Sequence, residues 1–147
     1  MMSGDINDRL TRLLHALALQ DIKPMLLHSE ALGPMPPPGN ELKLEWKQSF
    51  ANGDPLAPTP ESRVFRPKYE FTVSFQDALI FKQVSVFIIG FGVIDLPTYT
   101  ELWVDEELCK VFKEKQIQKT LWPLFRQHAH DGMSRLGMSP VPLPWLM

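Results

Sequence analysis

A single cysteine, Cys109, is the only thiol in this 147-residue sequence. No internal disulfide is available, and a reducing cytoplasm is the expected setting. An excess of positive charge is also missing: fifteen basic against seventeen acidic side chains leave a formal charge of −2. A protein built to ride on phosphate backbones or anionic lipid would carry a basic face, so nucleic acid is not an expected partner. Nor is there a long hydrophobic run. The longest, residues 84–94, is interrupted by Ser85, Gly90 and Gly92 and falls short of the ~20 residues that span a bilayer, so membrane insertion is not expected. The opening MMSGDINDRL has acids and no apolar stretch of the kind a secretory signal needs. Proline, by contrast, is abundant. Fourteen residues are about twice the usual ~5%, and they mark where regular structure stops.

The length fits one domain with one core. Residues 5–20 place Ile6, Leu10, Leu13, Leu14 and Leu17 on one face of an amphipathic helix, with Asp5 as its cap. Pro24 ends that segment and favours an edge position for the short extended stretch after it. The run Gly33-Pro34-Met35-Pro36-Pro37-Pro38-Gly39 is a stiff connection. Residues 41–50 then alternate, with Leu42, Leu44, Trp46 and Phe50 against Glu41, Lys43, Glu45 and Lys47, the pattern of a half-buried antiparallel strand. A second proline-rich loop precedes residues 64–75. There Phe65, Tyr69, Phe71, Val73 and Phe75 alternate with polar residues, and Gln76-Asp77 turns the chain into residues 79–94. The last part of that segment is apolar on both faces: Phe87, Ile89, Phe91 and Val93 on one, Val86, Ile88 and Ile94 on the other. Such a strand requires cover on both sides.

Two helices are expected after it. Asp105, Glu106 and Glu107 lie in the first turn of one, where the helix dipole favours them. The other is expected over 120–136, with Pro123 in its first turn and Gly137 as its stop. The tail 137–147 is apolar and proline-rich. The whole reads as α+β: residues 22–94 supply a four-stranded antiparallel sheet, and residues 105–136 supply helices on one of its faces.

Constellations for chemistry are scarce. His128 and His130 are two residues apart and point to nearly opposite sides of a helix, so they do not share a metal ion. The consecutive acids 105–107 diverge in the same way. Gly90-Phe91-Gly92 lacks the third glycine and following helix of a dinucleotide loop. No nucleophile elbow or phosphate loop is present. An enzyme is not expected, and no cofactor or metal is called for. What remains is more apolar sheet than the helices can cover. An identical subunit or a client chain would complete it, either by dimerisation alone or by peptide binding.

One stretch points further. Thr120-Leu121-Trp122-Pro123-Leu124-Phe125-Arg126 resembles the Leu-Phe-Pro-Tyr-x-Arg signature of the SecB protein-export chaperone family. Leu121, Trp122, Pro123 and Arg126 stand in matching places, and Leu124 stands where tyrosine is usual. Gly137, Pro140, Leu143 and Pro144 resemble that family's glycine- and proline-rich exit, while its further carboxy-terminal helix and tail have no counterpart here. The resemblance implies a SecB-like sheet with helices on one face, subunits assembled as dimers and tetramers, and ATP-independent holding of unfolded polypeptides. That activity would serve protein export, through an export motor, or a toxin–antitoxin system, through an antitoxin. The residues expected to meet clients are Leu42, Leu44, Trp46, Phe65, Tyr69, Leu143 and Trp145, and those expected between subunits are Val86, Ile88 and Trp122. An adapter that binds one specific partner, or a small-molecule binder, remains open beside this.

Overall fold

The computed structural model describes residues 2–139, with side chains from Ile6 onward. Helix α1 spans Met2–His15 and turns Leu13 into the core, with Ile6, Leu10 and Leu14 packed against it. The apolar period suggested a helix running to residue 20, but it ends earlier. The Ala16 carbonyl accepts from Ile94 at 2.8 Å, and Leu17 starts strand β1, Leu17–Ala31. Leu17 satisfies either period, so a long ladder decides between them. β1 pairs antiparallel with β5, Ala78–Val93, from Leu17↔Val93 to Ala31↔Phe81. Bulges leave Gln20 and Met25 without partners in that ladder. Pro24 is tolerated because β1 is an edge strand, as its missing N–H requires.

Between them lie β2, Lys43–Phe50, β3, Ser62–Phe65, and β4, Pro67–Phe75. The sheet order is β1-β5-β4-β2, with β3 beside the last part of β5. It has five strands where four were expected, because the segment 64–75 divides at Arg66. The Arg66 backbone N–H donates to Asp54 Oδ2 at 2.6 Å and its Nε to Oδ1 at 2.8 Å, so a loop carboxylate takes the ladder's place. The expected hairpin is present. Gln76 and Asp77 have φ of +50° and +63°, the type I′ geometry that matches strand twist.

After β5 comes a helix the sequence pattern did not reveal, α2, Leu96–Trp103, capped by Asp95 accepting from the Thr98 N–H at 3.2 Å. Helix α3, Glu106–Val111, is capped by Asp105, which also pairs with Arg9 of α1. A π-helical turn, Phe112–Ile117, joins it to α4, Gln118–Arg135. Positions 112 and 117 fall about 140° apart on an α-helix. The wider π turn brings Phe112 and Ile117 together into the core, where both are fully buried. Pro123 therefore sits inside a continuing helix instead of opening one.

The described helices lie on one face of the sheet. Phe65, Tyr69, Phe71, Phe87 and Ile89 interlock there with Phe112, Leu121 and Phe125. On the opposite face Val84, Val86 and Ile88 are only half-buried. Among the described residues, the cover expected on both faces of β5 is present on one.

Candidate functional site

The site question concerns apolar surface that the single chain leaves open. One such region follows β2, whose outer edge has no strand partner among the described residues. Leu42, Leu44, Trp46 and Phe50 alternate along it, each half-buried. Trp46 leans on Trp122 with ring centroids 5.0 Å apart, and Phe50 meets Phe65 edge-on at 6.3 Å. Between the end of β2 and α3 lies a cleft of about 490 Å³, lined by Gln48, Phe50, Glu106, Cys109, Lys110 and Lys113 among others. Gln48 fixes its floor: the Tyr69 hydroxyl donates to Gln48 Oε1, and Gln48 Nε2 donates to the Lys113 carbonyl at 3.4 Å. That carbonyl belongs to the π turn. Lys113 Nζ lies 5.7 Å from the Phe50 ring centre, so the wall combines an aromatic face with a cation.

The client residues predicted from sequence divide in three. Leu42, Leu44 and Trp46 lie together along this edge. Phe65 and Tyr69 do not reach the surface; Phe65 is buried beneath α2 and the π turn and Tyr69 beneath α4, so the structure corrects their expected role to core packing. Leu143 and Trp145 lie outside the described residues. Of the expected subunit contacts, Val86 and Ile88 occupy the open face of β5, and Leu26 of β1 pairs with Val86. Trp122 is a second correction. It is 1% exposed, wedged between Trp46 and Phe125, because it shares α4's inward face with Leu121 and Phe125.

The sequence pattern missed the surface of β1. This edge strand of 15 residues exposes Leu19, Met25, Leu26 and Leu27, with Met25 60% exposed and Leu26 49% exposed. The signal was available in the apolar run Met25-Leu26-Leu27 directly after an edge-marking Pro24, but the helical period upstream obscured it. Around the open face, charges interleave. Glu70 lies 3.3 Å from Lys68 and 3.7 Å from Lys47, and its hydrogen bond with Lys68 holds its carboxyl below the usual range.

Titratable groups elsewhere are placed for packing. Burial pushes the Cys109 thiol up, and its Sγ donates to the Trp103 carbonyl at 3.0 Å. Burial likewise raises the Tyr99 phenol to about 12. His128 stacks on Phe87 with centroids 5.5 Å apart, and desolvation lowers its pKa. Among the described residues no group of three or more His, Cys, Asp or Glu is arranged to hold a metal. No helix among them is long and apolar enough to cross a membrane.

No protein-family model and no curated protein matches this chain. Solved structures do. The SecB-like chaperone Rv1957 of Mycobacterium tuberculosis, solved in complex with a ChAD peptide from the Rv1956 HigA1 antitoxin, superposes with a TM-score of 0.72. The match covers 97% of this chain and 99% of that one, at 20% sequence identity. The chain has the SecB-like fold. A protein of unknown function from Streptococcus agalactiae aligns at a TM-score of 0.40 and 8% identity, too distant to carry an argument. In this SecB-like chain the signature stretch lies on α4, where Leu121 and Trp122 are buried and Pro123 is exposed. Through Leu121 and Trp122 the motif fastens the helix to the sheet.

Proposed function

We propose that the chain is a chaperone that holds non-native polypeptide along the free edge of β2, without nucleotide. The observation that carries this is the alignment of Leu42, Leu44, Trp46 and Phe50, half-exposed, beside a strand edge with no partner among the described residues and an adjoining cleft. An extended client would add main-chain hydrogen bonds to the edge and set alternate side chains against that stripe. The antitoxin peptide bound to the Rv1957 neighbour supports a polypeptide client, and favours an antitoxin segment over an export substrate. The free edge of β1, with its exposed leucines and Met25, is our candidate for pairing with a second copy, because an unprotected edge this long invites strand addition. Val86 and Ile88, beside Leu26, would lie next to that junction on the open face.

The test is light scattering of several unrelated denatured proteins, with and without the chain. Suppression of aggregation for most of them at near-stoichiometric ratios is expected. Protection of none would mean that the chain is an adapter or small-molecule binder, and the chaperone proposal would fail.

A further inference from the structure

Strand β2 carries two different stripes. Its apolar side chains lean toward the helices. Lys43, Glu45 and Lys47 alternate with them on the other face, in register with Ser74, Thr72 and Glu70 of β4. These three side chains are 68%, 62% and 72% exposed, so all are within reach of a partner. A strand added at the outer edge would run ~4.8 Å from β2, with one residue beside each of them. The order along this face is cation, anion, cation. Burial of the apolar stripe fixes which face carries the charges, because successive strand residues point to opposite sides.

Contacts within the sheet do not consume these charges. Lys43 lies 3.6 Å from Glu45 and Lys47 lies 3.7 Å from Glu70, while Lys68 approaches Glu70 more closely, at 3.3 Å. Exposed pairs of this kind contribute little and hold their long side chains loosely. Across neighbouring strands, opposite charges attract and like charges repel. Lysines on an edge also discourage indiscriminate strand addition. A segment with acid, base and acid at alternate positions meets an opposite charge at each step, and the inverse segment meets a like charge at each step. The triad reads the same from either end, so the match holds for a client parallel or antiparallel to β2. Glu41 continues the alternation but precedes the ladder, which begins at Lys43↔Ser74. A client shifted onto Glu41 gives up Phe50 and the adjoining cleft.

We infer that β2 selects its clients by charge: Lys43, Glu45 and Lys47 favour an extended polypeptide segment with acid, base and acid at alternate positions. The intervening apolar side chains of that segment lie on the stripe of Leu44 and Trp46. The inference rests on the chaperone proposal and adds a sequence preference at the same edge. Apolar contact and main-chain hydrogen bonds hold the client there, and the charged face sets its register and discriminates among sequences.

The experiment uses the full chain and fluorescently labelled peptides with valine at alternate positions. The three central intervening positions are Glu-Lys-Glu, Lys-Glu-Lys or Thr-Thr-Thr, and binding is followed by anisotropy. At low salt the Glu-Lys-Glu peptide is expected to bind roughly tenfold more tightly than Lys-Glu-Lys, with the threonine peptide between them. In ~1 M salt the difference should shrink to within about twofold, while the threonine peptide still binds. A chain with Lys43→Glu, Glu45→Lys and Lys47→Glu together should reverse the order and keep its affinity for the threonine peptide. Lys43→Gln with Lys47→Gln, a milder change at the same exposed positions, should level the preference. Equal affinity for the two charged peptides at low salt overturns charge selection. So does tighter binding of Lys-Glu-Lys, or an order unchanged in the reversed chain. In those cases continued binding of the threonine peptide leaves the chaperone proposal standing. Failure of all three peptides to bind overturns both.

Discussion

Replacing Trp122 with alanine separates a core role from an interface role most sharply. The side chain is 1% exposed, with Trp46 at 5.0 Å and Phe125 at 5.1 Å between ring centroids. Truncating a fully buried tryptophan costs about 3–5 kcal/mol, through lost transfer energy and the cavity left behind. A domain has only about 5–15 kcal/mol of net stability. With a urea dependence of about 2 kcal/mol per molar, the unfolding midpoint should fall by roughly 1.5–2.5 M. Far-UV circular dichroism during urea titration is the suitable assay, because the substitution removes a fluorophore. Should Trp122→Ala fail to fold, Trp122→Phe keeps part of the ring contact and should lose about 1–2 kcal/mol. Trp46→Ala is the internal comparison. Its side chain is half-buried at a free edge, so it should lose about half as much as Trp122→Ala, together with much of the client binding. The reasoning is refuted if Trp122→Ala leaves the urea midpoint unchanged and dissociates an assembly, since that is how an exposed interface residue behaves.

Met25→Lys and Leu26→Lys should reduce the particle mass in multi-angle light scattering without lowering the melting temperature, because both side chains are exposed on an edge and a lysine there blocks strand addition. His128 has a lowered folded-state pKa, so below its ordinary value of 6.5 the unfolded chain takes up the proton first. Its contribution to stability is complete above that value and declines as pH falls through the folded pKa. Thermal melts between pH 7 and 5 should therefore show a decline that is shallower in His128→Asn. Gly132→Ala should destabilise by about 1–2 kcal/mol, since the buried Gln83 amide blocks the new methyl. Gly92→Ala should cost less than about 0.5 kcal/mol in the same urea titration, because the Gln20 side chain it would meet is exposed and can swing away.

Strand alternation made β2, β4 and the Gln76-Asp77 hairpin legible, and the signature stretch on α4 pointed to the fold. Each of these rests on a period or a turn written into consecutive residues. The break at Arg66 was not legible, because it is made by Asp54 from a separate loop. The extent of β1 was hidden for a related reason: residues 17–20 suit a helix locally, and the hydrogen bond from Ile94 to the Ala16 carbonyl overrules them. The contact of Ser29 with Gln83 beside Gly132 was out of reach altogether, since these residues come from distant segments with no shared motif.

Composition and periodicity by themselves determined the class of this protein: an α+β fold built on alternating and two-sided apolar strands. Only the tertiary structure decided which apolar residues are available to a partner. Tyr69, Phe65 and Trp122 read in sequence much like Trp46 and Leu44, yet helix packing buries the first three and leaves the other two at an open edge. Hydrophobicity is a property of the residue, whereas exposure depends on what the rest of the chain places over it.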